Sequence, residues 1–343
     1  MDDIFINKYI YLMKEDGVLN IQPLGFPWKT HDPFLTCVYH KDDYPAGNDQ
    51  MGPAASLEGR NLGQDFTLKD GWRMYHGKSV PGFPAHPHRG FETVTIVLKG
   101  LVDHSDSLGC SGRYGNGDVQ WLTTGKGVQH SEMFPLVNQD TPNHLELFQI
   151  WLNLPAAKKF ATPHFLMLWA DTIPRYTFKD HQGKITQVLI IAGKIEEVQP
   201  PSPPPESYAS DPQSEVAIWN VEMEADAQWS LPAALMGVNR SLYFYEGLNI
   251  IIGNQNVAVN HGVDVQADRK VLIKNGPQKS RMLLLQGNPI KEPVAQYGPF
   301  VMNTHQQIQE AMEDYQKTEF GGWPWPRHDQ VHARQAGKFA DYK

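Results

Sequence analysis

From Glu92 to Gly287 the chain is cut into short apolar and β-branched runs by Gly, Pro, Asn and Asp, a punctuation that suits many short strands. ETVTIVL (92–98) stops at Gly100. In ELFQIWLNLP (146–155), Phe148, Ile150, Leu152 and Leu154 share one face of an extended chain. Leu147 and Trp151 make the other face apolar too, the pattern of a strand covered on both sides. AIWNVEME (217–224) alternates more cleanly, with Ala217, Trp219, Val221 and Met223 set against Asn220, Glu222 and Glu224. SLYFYEG, NIIIG, NVAVN, KVLIKNG and RMLLLQG continue the theme. The expectation is an all-β sandwich or barrel, and 343 residues are enough for two ordinary domains.

One segment departs from this rhythm. In THQQIQEAMEDYQKTEF, Thr304 and Gln307 form a capping-box signature, and Ile308, Ala311, Met312 and Tyr315 make one apolar stripe. The spacing predicts a packing helix over 304–318 with no chemistry of its own. PPSPPPE (200–206) reads equally as a stiff spacer between domains or as a long surface loop inside one. The closing segment, 321–343, turns from aromatic and Pro-rich to polar and reads as an arm partly draped over the body.

Composition narrows the class. A net charge of −8 argues against a broad basic surface for nucleic acid. Cys37 and Cys110 are too few for a disulfide framework or a thiolate zinc site. MDDIFINKYIYLMKEDG (1–17) lacks a basic leader with an apolar core. No apolar run approaches the roughly eighteen residues of a membrane span. A cytoplasmic enzyme or binding protein is expected.

The chemistry concentrates in two places. PAHPHRGFETVTIVLKG (84–100) carries His86 and His88, which point to one face of a strand, with Pro87 turned away. Because Pro87 cannot donate to a ladder, this segment should be an edge, a bulge or a strand start. GDVQWLTTGKGVQHSEMFP (117–135) leads through a glycine turn to His130 and Glu132, again two apart. Two neighbouring strands could bring these four together. Three imidazoles and a carboxylate suit Fe(II), Mn, Co, Ni, Cu or Zn, and leave two positions open on an octahedral ion. A short HPH motif alone is more often a surface or turn feature; the second pair is what gives it weight. The other eleven histidines, including His40, His76, His104 and His261, show no trusted partner at ligand spacing and read as surface or hydrogen-bonded residues.

These two segments closely resemble the metal motifs of the pirin family, and EPVAQYGPFVMNTHQQIQEAM (292–312) resembles its C-terminal signature. The resemblance implies two tandem cupin barrels (double-stranded β-helix, or jelly-roll, folds) with a short C-terminal helix and metal only in the first. It divides the chain into a metal-binding domain (1–160, with an insertion near 40–80), an interdomain segment (161–183), a degenerate barrel (184–320) and an arm (321–343). It places PPSPPPE in a loop of the second barrel. The ligands it implies are His86, His88, His130 and Glu132, around one divalent metal, Fe(II) foremost. Glu92, a ligand in many other cupins, is left as an outer-sphere or structural residue. The insertion would cover the pocket mouth or an oligomer contact.

The activity this resemblance implies is a dioxygenase acting on a flavonol such as quercetin, with Glu132 as both ligand and base. The alternatives are a redox-responsive regulator that binds a transcription factor or metabolic enzyme, and a metal-stabilised barrel with no turnover.

Overall fold

The computed structural model describes residues 16–342, so residues 1–15 of the N-terminal stretch read for leader character lie outside it. In the first half of the chain run β1 (Val18–Pro23), β2 (Phe34–Tyr44), β3 (Gly82–His88), β4 (Phe91–Lys99) and β5 (Leu101–Asp106). They are followed by β6 (Ser111–Gly115), β7 (Val119–Thr123), β8 (Val128–Met133), β9 (Asn143–Asn153) and β10 (His164–Leu168). The second half holds β11 (Arg175–Lys179), β12 (Ile185–Ala192), β13 (Ala217–Met223), β14 (Gln228–Leu231) and β15 (Asn239–Glu246). Then come β16 (Asn249–Ile252), β17 (Gln255–Ala258), β18 (His261–Val265), β19 (Val271–Asn275) and β20 (Ser280–Gly287). The hairpin β21 (Ala295–Tyr297) and β22 (Phe300–Met302), helix α1 (His305–Thr318) and β23 (Phe339–Asp341) end the chain.

Two all-β barrels result, each a sandwich of antiparallel sheets. The first pairs β10-β7-β4-β9-β2 with β23-β6-β5-β8-β3, and the second pairs β1-β18-β15-β20-β13-β12-β11 with β14-β19-β16-β17. Alternation decides what each strand buries. On β13, Ala217, Trp219, Val221 and Met223 fill the second barrel, as their spacing predicts. On β4, Val97 turns into the first barrel while Val94 and Ile96 turn outward. Those outward residues do not meet water. With Phe148, Ile150 and Leu152 of β9 they pack against Leu189, Ile191, Ile218, Tyr243 and Leu283 of the second barrel. This sheet-on-sheet contact explains why 146–155 is apolar on both faces. Each such side chain, fully buried, contributes about 1.5–3 kcal/mol.

PPSPPPE lies between β12 and β13, which are hydrogen-bonded neighbours in one sheet, so it belongs to a loop of the second barrel. The 40–80 segment begins on β2 and buries Trp72, Met74, Tyr75 and Val80 against the first barrel. Helix α1 has its complete capping box, with Thr304 Oγ1 accepting from the Gln307 N–H at 3.2 Å.

The two ends of the chain depart from the limits read in the sequence. β1 pairs with β18, Val18 opposite Val265, and so extends the second barrel although it precedes the first. The arm straps the first barrel, where β23 pairs with β6. Its anchor is Arg113, buried and bound bidentately to Asp103 at 2.6 and 2.7 Å. The same guanidinium donates to the carbonyls of His332, Ala333, Arg334 and Ala336 in the arm. No charge or periodicity along 321–343 announces this, because the arm is held by its backbone carbonyls. Among the described residues no helix is long and apolar enough to cross a membrane.

Candidate metal centre

β3 is an edge strand, and its ladder with β8 shifts register between Phe83 and His86, so Pro87 falls where a missing N–H costs least. His86 sits directly opposite His130. The ring centroids of His86, His88 and His130 lie 4.5–4.9 Å apart, and one nitrogen from each lies within 4.8 Å of the other two. The turn before β8 is equally constrained. Gly127 has φ +128°, and a Cβ there would come within 2.7 Å of the Phe320 ring. The rings of Phe91 and Trp151 pack on His88 at 5.1 and 5.5 Å.

Burial keeps these imidazoles neutral. His86 is pushed down to about 4, and His88 and His130 well below the usual range; desolvation is the main cause and the neighbouring histidines add to it. His86 Nδ1 lies 2.9 Å from the Pro84 carbonyl, which can only accept, so its Nε2 carries a free lone pair. His130 is fully buried, and neither of its nitrogens has a hydrogen-bond partner among the described residues. An imidazole with both nitrogens orphaned among two others is costly in a protein alone. A bound cation relieves that cost, and the nitrogen-rich donor set suits a late divalent transition metal.

Glu132 stands beside this triad but outside its tightest group. Its Oε2 lies 3.7 Å from His130 Nε2. Thr95 Oγ1 donates to its Oε1 at 3.2 Å and Gln149 Nε2 to its Oε2 at 2.9 Å; the Thr95 hydroxyl also meets Gln149 Oε1. Burial raises its pKa to about 7, against the pull of His104, Thr95 and Gln149. Glu92 turns the other way, toward the second barrel. It accepts from Trp121 Nε1 and Thr123 Oγ1 on one oxygen, and from Ser207 Oγ and the Tyr208 N–H on the other. Of its two readings the structural one describes this geometry: Glu92 ties the Pro-rich loop to the first barrel.

His86, His88 and Glu132 open into a cavity of about 670 Å³, with His130 buried behind them; Phe26, Phe83, Phe134, Trp151 and other apolar side chains line it, and its size suits a small organic ligand. Several of its polar residues carry no pairing signal in the sequence. Gln149 was visible as a lone amide inside an apolar strand, on the same face as Leu147 and Trp151. His76, from the insertion, and His40, from β2, also line the wall, as does Phe66, so the insertion closes part of the cavity. His104 lies behind His130 at 5.4 Å, held by Gln120 and Asp106.

Two family models match, "Pirin" over residues 48–152 and "Pirin C-terminal cupin domain" over residues 218–321. Human pirin is 32% identical over 253 residues, covering 72% of this chain and 80% of its own. A Pseudomonas aeruginosa protein named putative quercetin 2,3-dioxygenase is 34% identical over 239 residues, covering 70% of this chain and 79% of its own. Among solved structures, quercetin 2,3-dioxygenase from Acinetobacter baumannii superposes with a TM-score of 0.68 at 24% identity, covering 89% of this chain and 98% of that one. That last likeness concerns the fold.

Proposed function

The chain belongs to the pirin family, and from that premise we propose that it is a metal-dependent dioxygenase that opens a flavonol such as quercetin with O2. His86, His88, His130 and Glu132 hold one divalent metal in this reading, Fe(II) foremost, with Mn, Ni, Co, Cu or Zn accepted by the same donors. When bound, the metal supplies Lewis acidity that lowers the cost of the substrate's negative charge.

The observation that carries the reading is Glu132. Its carboxylate faces an aromatic-lined cavity beside the histidine triad, and burial disfavours its charged form in the metal-free protein, so it is placed to accept a proton there. The proton in question is that of the flavonol 3-hydroxyl. Gln149 and Thr95 fix the carboxylate's orientation, so little reorganisation accompanies the transfer. The aromatic walls exclude water and suit a flat ring system. The second barrel, with only His261 between 216 and 287, serves as scaffold.

The test is oxygen uptake by metal-reconstituted protein with a panel of flavonols, for wild type and Glu132→Gln. Loss of a positioned base should lower kcat/KM by about 10²–10⁴-fold while metal content falls less. Full activity in the variant removes the base assignment. No uptake by wild type with any metal removes the enzyme and favours the regulator, whose partner affinity should then differ between Fe(II) and Fe(III) forms.

A further inference from the structure

The wall of the cavity also carries two imidazoles that the metal centre does not use. His76 Nδ1 lies 2.8 Å from the Gly63 carbonyl. A carbonyl only accepts, so Nδ1 holds the proton and Nε2 presents a lone pair with no protein donor found for it among the described residues. His40 is 3% exposed, and its Nδ1 has no partner among the described residues. Burial and the charge of Arg73 push its pKa down to about 3, so the ring is neutral. Both rings line the cavity.

One phenyl ring links them to the triad. Phe83 packs on His86 at 6.2 Å, on His76 at 5.6 Å and on His40 at 5.9 Å. The two imidazoles therefore share Phe83 as a neighbour with His86, in a wall otherwise made by Phe26, Phe66 and Phe134. Polar groups without partners on an apolar wall carry a standing cost, which a ligand relieves by supplying hydroxyls.

We infer that His76 and His40 form a hydroxyl-recognition pair: they select, among flat enolisable aromatics, those bearing phenolic hydroxyls in addition to the enolic one. His76 Nε2 accepts from one hydroxyl, and His40 offers a donor or an acceptor to another. This rests on the flavonol reading above and assigns recognition of that substrate's further hydroxyls to two residues outside the metal centre.

The test is equilibrium binding to the metal-loaded protein under nitrogen. The probes are quercetin, galangin, which lacks the catechol hydroxyls, and 3-hydroxyflavone, which keeps only the enolic one. Wild type should bind quercetin or galangin more tightly than 3-hydroxyflavone. His76→Phe and His40→Phe should each weaken the favoured ligand by about 2- to 12-fold, the worth of one net hydrogen bond, and leave 3-hydroxyflavone little changed. His40→Gln, which keeps a donor and an acceptor, should restore part of the loss. Equal weakening of all three ligands overturns the pair, as does wild-type indifference to hydroxylation. Selective weakening without any oxygen uptake supports the pair and removes the dioxygenase. Failure of wild type to bind any of the three overturns both readings.

Discussion

Arg113→Met isolates what holds the C-terminal arm. Methionine keeps much of the aliphatic bulk and removes every donor. Asp103, fully buried, would be left with one of its present donors, the His332 N–H at 2.8 Å, and four arm carbonyls would lose the guanidinium. Breaking a buried ion pair from one side costs about 3–5 kcal/mol, because the surviving charge stays desolvated. The arm offers an escape: by lifting away it admits water to Asp103, so the loss cannot exceed that figure by much. Urea denaturation should therefore give a stability loss of about 3–5 kcal/mol, and trypsin should cut at Arg334 and Lys338 faster than in wild type. Asp103→Asn in the same chain should recover part of the loss, since no charge is then stranded. A loss under about 1 kcal/mol with unchanged protection of the arm would refute the reasoning.

Two other outcomes follow from the same geometry. In metal-free protein, the pKa of Glu132 is raised to about 7 from an ordinary value of 4.5. The native state holds that proton more tightly, so the stability it contributes is full below 4.5 and is lost as pH rises through 7. Wild type minus Glu132→Gln, followed by thermal denaturation, should fall by at most about 3 kcal/mol between pH 5 and 8; a flat difference refutes the shift. Gly90→Ala should cost about 3 kcal/mol or more, because Gly90 has φ +87° and a Cβ would lie 2.0 Å from the Val301 carbonyl oxygen. Unchanged thermal stability in that variant contradicts so close a passage.

Much of this was legible in the sequence because strand geometry is a period of two. His86 and His88, and His130 and Glu132, announce a shared face, and the glycines between them announce the turn that brings β8 beside β3. The inner faces of β13 and β9 were readable for the same reason. What stayed hidden was contact between segments distant in the chain. Nothing local tells Glu92 to face Ser207 and Tyr208, since both faces of β4 are buried and neither is marked. His40 and His76 are lone histidines with no spacing signal, and only the folded cavity wall puts them together. Terminal strands are the extreme case: β1 finds its sheet through backbone groups that every sequence possesses.

The exchange of ends has a consequence for how the protein is made. Asn20 bonds to Asp264, 244 residues later, and the His332 N–H reaches back 229 residues to Asp103. The first barrel can therefore not be finished when its own strands β2 to β10 have been made. It waits for β23, made after the strands of the second barrel, while the second takes in β1, made before both. Completion of the first barrel before the second, the usual order for two-domain chains, does not fit this exchange. Shortening the gene at either end should injure the barrel at the opposite end of the polypeptide, a crossed pattern of damage that the linear order of motifs conceals.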